Sequence, residues 1–216
     1  MPLTQRDKEI IADLNRFRVM DRDSIAEIHF ADNKRPNYSA NNVLLRLWRD
    51  GHIQRSKAFV PFLYFGAETQ IKKNSAKIGH FLAILDVYKE LRMLGATRTF
   101  LVEPKYGRKG TVEPDVYCQY RKTGFFVEVQ RTLYSDRQMA EKLGRYVDFY
   151  RAGIMPKPFP HVLILSERPY AINAADYPFR IFQAQSFTAF VQSLKKEKPP
   201  EAKPITMTDG IRMVLK

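Results

Sequence analysis

The sequence has one cysteine, Cys118, and one tryptophan, Trp48. A lone cysteine excludes an intramolecular disulfide framework and a thiolate zinc cluster. The four histidines, His29, His52, His80 and His161, are scattered and form no HxxxH-type ligand pair. Long apolar runs are also missing. The segment Phe59 to Phe65 spans seven residues with Pro61 inside it, far short of the roughly 20 that a membrane span needs. The opening MPLTQRDKEIIADL carries charge where a secretory leader would be apolar, so the expectation is a cytoplasmic protein with no membrane partner. Negative charge is scarce as well. Thirty-six Lys and Arg face 23 Asp and Glu, a net charge of +13, and that excess makes a polyanion the first candidate partner.

What is present begins with helical periodicity. Ile10, Ile11, Leu14 and Phe17 form a stripe from Thr4 to Arg18, with Thr4 and Asp7 arranged as a capping box. Asp21 opens a second helix through Ile25, Ala26 and Ile28. NKRPN reads as a turn, after which Ser39 caps a third helix through Val43, Leu44, Leu47 and Trp48, ended by Asp50-Gly51. His52 to Phe65 reads as two β segments around Ser56-Lys57. Three short helices and a β-hairpin are the order of a winged helix-turn-helix, whose third helix enters the major groove. Asn41, Asn42, Arg46 and Arg49 project from that helix away from its apolar stripe. Lys34, Arg35, Asn37 and Tyr38 precede it, and Arg55 and Lys57 lie on the hairpin. Asn suits adenine, Arg suits guanine, and either can hold phosphate, so double-stranded DNA is the expected partner. The plainer alternatives are solvated charges on small helices and a protein-binding winged helix. Trp48 continues the apolar stripe and is assigned to the core.

Residues 67–74 are polar and read as a linker. A helix from Ser75 to Leu94 follows, itself a candidate homodimer face. Strands are expected at Thr99–Glu103, Val112–Tyr120 and Phe125–Gln130, then a helix at Ser135–Tyr150 and a buried strand in HVLILSE. Arg180–Gln183 and Phe187–Lys195 add a strand and a helix. The fold class is therefore mixed α/β: a winged helix-turn-helix at 1–70 followed by an αβββαβ domain at 75–198. The Lys- and Pro-rich stretch beyond it makes 199–216 a flexible tail, with a short helix at Asp209–Leu215.

Chemistry concentrates in one hairpin. With Lys122-Thr123 as the turn, Tyr120 faces Phe125, Cys118 faces Val127 and Val116 faces Val129, an apolar face. On the other face Tyr117 meets Glu128 and Asp115 meets Gln130. Two adjacent carboxylates need a neutralising cation. Asp115 and Glu128 could hold Mg²⁺ or Mn²⁺, which polarises a phosphodiester and activates water. The alternative, which spacing alone favours, is that they pair with Arg131, Lys142 or Arg145.

A PD motif followed by a hairpin into E-x-Q, after a long helix, resembles the PD-(D/E)XK nuclease superfamily. The order of winged helix, GHFLAILDVYKEL, EPDVYCQY, FFVEVQRT and EKLGRYVDFY resembles the replication-relaxation family of plasmids, phages and conjugative elements, over residues 1–195. That resemblance implies a DNA-binding module fused to a nuclease-like domain, acting in replication of a mobile element or its regulation. It implies that Asp115 and Glu128 match the metal-binding carboxylates and that Gln130 takes the usual lysine's place. An amide supplies neither charge nor a proton acceptor, so Lys142 is the candidate substitute. His80 matches a helix histidine, with a packing or hydrogen-bonding role, and Lys142 and Tyr146 share a helix face as an i, i+4 pair. The leading expectation is DNA binding with an inactive nuclease-like site. The alternatives are a Mg²⁺-dependent endonuclease and an adaptor that recruits a replication protein.

Overall fold

Thr4 accepts the Asp7 amide while the Asp7 carboxylate accepts the Thr4 amide at 2.8 Å. This reciprocal cap opens helix α1, Gln5–Phe17, and satisfies two amides the helix itself leaves free. The computed structural model describes residues 2–72, 75–96, 98–108 and 110–196; the expected tail at 199–216 and its helix lie outside the described residues. Asp21 caps α2, Arg22–His29, and also ends the two-residue strand β1, Met20–Asp21. Helix α3 runs Pro36–Arg49 and begins one turn before the expected Ser39 cap. Proline is preorganised for the first helical position, so the helix starts there. Ser39 lies inside it and accepts a hydrogen bond from the Asn33 side chain at 2.9 Å.

Strands β2, Ile53–Ser56, and β3, Leu63–Gly66, form a three-stranded antiparallel sheet in the order β1-β3-β2. The two β segments expected around Ser56-Lys57 pair from Ser56 to Leu63, so their connection spans residues 57–62. Trp48 departs from expectation. It is 37% exposed, and the Arg55 guanidinium stacks 3.9 Å from its ring centroid.

Helix α4, Lys77–Met93, leads into a five-stranded mixed sheet ordered β4-β5-β6-β7-β8. Its strands are Phe100–Val102, Val116–Tyr120, Thr123–Val129, His161–Leu165 and Ile181–Ala184. Strand β5 starts at Val116, not at Val112, because Pro114 has no N–H to give a ladder. Strands β4 to β6 pair antiparallel, and β6, β7 and β8 pair parallel. Helix α5, Asp136–Arg151, is the crossover from β6 to β7, and α6, Phe187–Lys196, follows β8. The class is mixed α/β, with six α-helices and two sheets among the described residues.

The β5–β6 register differs from the expected one by two residues. Tyr120 pairs with Thr123, Cys118 with Phe125 and Val116 with Val127, the turn being Arg121-Lys122 with Arg121 at φ 56°. An even shift leaves every side chain on its face. Val116, Cys118, Phe125 and Val127 join one core with α4 and α6, while Phe126, Val162 and Ile164 join a second with α5. Burial pushes the Cys118 thiol up to about 12, so it behaves as a core residue.

The first core also includes Ile10, Leu14, Phe17 and Leu44 from the N-terminal unit. The Phe17 ring meets Tyr88 of α4 at 4.9 Å, and Arg16 donates to the Phe100 carbonyl at 2.6 Å. The two units therefore share buried apolar surface. No helix among the described residues is long and apolar enough to cross a membrane.

Candidate functional site

Asp115 stands immediately before β5 and Glu128 in β6, on the sheet face that looks toward α5. Asp115 Oδ1 lies 3.2 Å from His80 Nε2 of α4, and Oδ2 accepts the Val129 amide at 2.7 Å. Burial alone would raise the Asp115 pKa. The hydrogen bond from His80, the Lys142 charge and the Val129 amide outweigh it and hold the carboxyl below its usual value. His80 is correspondingly raised, chiefly by its bond to Asp115.

Glu128 is 1% exposed. Its Oε1 accepts the Tyr146 hydroxyl at 2.6 Å, and its Oε2 meets the Lys142 ammonium. Residues 142 and 146 are one helical turn apart, so α5 presents both to the same carboxylate. Burial and the neighbouring Asp115 charge push Glu128 up to about 7, against the opposing pull of Lys142 and Tyr146. Burial opposes the charge on Lys142, but the two carboxylates outweigh it and leave its pKa raised. Tyr146, fully buried beside that carboxylate, is raised well above the usual phenol value.

Of the three polar side chains expected to converge, Asp115 and Gln130 share one cavity, while Glu128 lies behind Lys142 and lines a separate one. Asp115, Gln130 and Lys142 line a cavity of about 550 Å³ together with His80, Lys77 and Arg131, and Glu128 reaches its wall through Lys142. Gln130 is 9% exposed, and its backbone N–H donates to the Leu165 carbonyl at 2.8 Å. Of the three proposed cationic partners only Lys142 is used. The Arg131 guanidinium instead covers Gly79, where a Cβ would fall 1.4 Å from Nη1.

These groups do not fit a resident divalent ion. Each carboxylate oxygen already faces a protein group, Glu128 Oε2 through its ion pair with Lys142 alone, and two of these groups are cations or potential cations. Among the described residues, no cluster of three or more His, Cys, Asp or Glu is arranged to hold a metal. Coordination would require expelling Lys142 from Glu128 and leaving a buried ammonium unpaired, which costs several kcal/mol.

The candidate DNA-facing residues divide. Lys34, Arg35, Asn37, Tyr38, Asn41, Asn42, Arg49 and Lys57 are exposed, and no cation among them forms an ion pair within the described residues. Arg46 is different. Its Nη2 donates at 2.6 Å to Asp7 Oδ1, a carboxylate 1% exposed. Burial would raise Asp7, but the bonds from Arg46 and Thr4 leave it lowered. Arg46 is thus a structural partner between α3 and α1. Arg55 is half-buried against Trp48 and Phe62. Periodicity gave no sign of either contact, because both partners lie outside the element that carries the arginine.

Comparison with family models, curated proteins and solved structures finds no match.

Proposed function

We propose that this chain is a DNA-binding protein whose N-terminal unit acts as a winged helix-turn-helix on duplex DNA. The observation that carries the reading is the solvent face of α3 and its approach. Lys34, Arg35, Asn37, Tyr38, Asn41, Asn42 and Arg49 lie there, exposed and without an acidic partner among the described residues. Helix α3 has no side-chain cap at its start, so its first amides can meet phosphate oxygens. Lys57 extends the same charge onto the connection between β2 and β3. The helix order, the β1-β3-β2 sheet and a net charge of +13 support the same assignment.

The second unit is a nuclease-like fold of the PD-(D/E)XK type, its acids neutralised by Lys142 and His80. Its part is to add affinity or a protein interface, in the replication of a mobile element or its regulation. Such binding has a plain test. The affinity for duplex DNA should fall with salt at a slope of about 0.9 per phosphate neutralised. Arg49→Ala with Lys57→Ala should shallow that slope by about two contacts while leaving thermal stability unchanged. An unchanged slope would place the duplex elsewhere on the molecule.

A further inference from the structure

Between α3 and the β2–β3 connection lies a cavity of about 440 Å³, within the size range of small-ligand clefts. Leu45, Pro61 and Phe62 make its apolar wall, and Arg22, Arg55, Asn41 and Tyr64 its polar one. No carboxylate lines it. Arg22 is bound to exposed Asp23 at 2.7 Å through Nε and Nη2, which leaves Nη1 for another acceptor. The Arg55 guanidinium carbon lies over two aromatic rings, 3.9 Å from the Trp48 centroid and 5.0 Å from that of Phe62. Its Nε is buried with no hydrogen-bond partner. Tyr64, on the same cavity wall, faces this guanidinium too, so the Arg55 charge is held in place by its neighbours and has no carboxylate beside it. Around the mouth the surface is apolar: Val60 is 95% exposed, with Phe59 and Phe62 beside it.

These features call for a ligand with a flat apolar face, a hydrogen-bonding edge and a negative charge. A nucleotide has all three. In a duplex the base's edge is taken by its partner and its faces by its neighbours, so only an unpaired base can enter. We infer that this cavity receives one unpaired nucleotide of a DNA strand, its base against Phe62 and Asn41 and its phosphate on Arg22 and Arg55. An amide both donates and accepts, so Asn41 can meet an exposed Watson–Crick edge. Stacking tolerates any base. The inference rests on the reading that α3 faces DNA, and it adds the strand state the protein selects: forked, gapped or distorted sites over intact duplex.

The test compares a blunt duplex with one of equal phosphate number whose end is forked, using the full chain at fixed salt. Trp48 is the sole tryptophan and stacks on Arg55, so its emission reports occupancy directly. Wild type should bind the fork roughly tenfold more tightly than the blunt duplex, and only the fork should change Trp48 emission. Phe62→Ala and Asn41→Ala should each bring the ratio toward one. Asn41 is exposed in a helix, where alanine is well tolerated, so that variant serves if Phe62→Ala does not fold. Equal wild-type affinity for fork and blunt duplex overturns the inference and leaves duplex binding standing. Binding of the fork alone supports the cavity and overturns the duplex reading; binding of neither overturns both.

Discussion

Lys142→Met removes the charge that Glu128 is buried against while keeping a side chain of similar length, so packing changes little. Breaking a buried pair typically costs about 3–5 kcal/mol, because the remaining charge has no partner. Here an escape limits that cost. Glu128 is held at about 7 even with Lys142 present, so it can take a proton once the ammonium is gone. The electrostatic penalty therefore cannot exceed the cost of holding that proton, about 1.4 kcal/mol for each pH unit above 7. The variant should be nearly as stable as wild type near pH 6. It should be roughly 1 kcal/mol less stable near pH 8 and roughly 3 kcal/mol less near pH 9. The sign for wild type follows from the same shift. An acid raised from 4.5 to about 7 on folding contributes stability that is present below 4.5 and lost as the pH rises through 7. Urea unfolding followed by circular dichroism, at the three pH values for both proteins, measures the difference. Glu128→Gln in the Lys142→Met background should flatten its pH dependence. A loss of equal size at all three pH values would mean that Lys142 acts through packing, and the electrostatic reasoning would fail.

Three further outcomes follow from the same contacts. The raised pKa of His80 gives stability that is complete below its unfolded value of about 6.5 and lost as pH rises through the folded one; calorimetry of His80→Ala should show a larger deficit near pH 6 than near pH 9. Arg46→Ala leaves Asp7 buried with one oxygen unpaired and should cost about 2 kcal/mol in urea unfolding, whereas Arg49→Ala, on an exposed side chain, should cost under about 0.5 kcal/mol. Proteolysis within residues 67–74 should leave two fragments that co-elute in gel filtration, because α1 and α4 share a core; fragments eluting separately would show that this shared surface is too weak to hold them.

The Lys142 and Arg46 outcomes mark what the sequence could and could not disclose. Periodicity identifies which face of a helix or strand is apolar, and that survives small errors. The β5–β6 hairpin moved by two residues, yet Asp115, Glu128 and Gln130 stayed opposite the Val116–Cys118 face because the side-chain period is two. The Ser39 cap failed for a local reason: Pro36 supplies a helix start that needs no side-chain oxygen. Arg46 and Arg49 are a different kind of problem. Both are arginines near the end of α3, and helical spacing puts them only about 60° apart. What separates them is Asp7, 39 residues earlier. Its Oδ2 closes the α1 cap and its Oδ1 still needs a donor. A capping acid signals a helix start, but nothing local reports that it is buried.

The carboxylate site shows the same limit from the other side. Two acids and a lysine were readable as neighbours, but their pairing depended on the helices approaching from opposite faces of the sheet. Helix α4 belongs to the core that also holds Val116 and Val127, and α5 to the one that holds Phe126. Both reach the end of the β5–β6 pair, α4 delivering His80 to Asp115 and α5 delivering Lys142 and Tyr146 to Glu128. Each acid thus receives its proton donor from a different layer. That division gives the two acids opposite behaviour: Asp115, with a backbone amide and an imidazole, is held ionised, while Glu128, wholly enclosed beside Asp115, is pushed toward neutrality. A lysine in place of Gln130 would add a further cation to a site whose two acids already have His80 and Lys142 and whose cavity wall also carries Lys77 and Arg131. The amide at that position is thus the residue consistent with the charge already present.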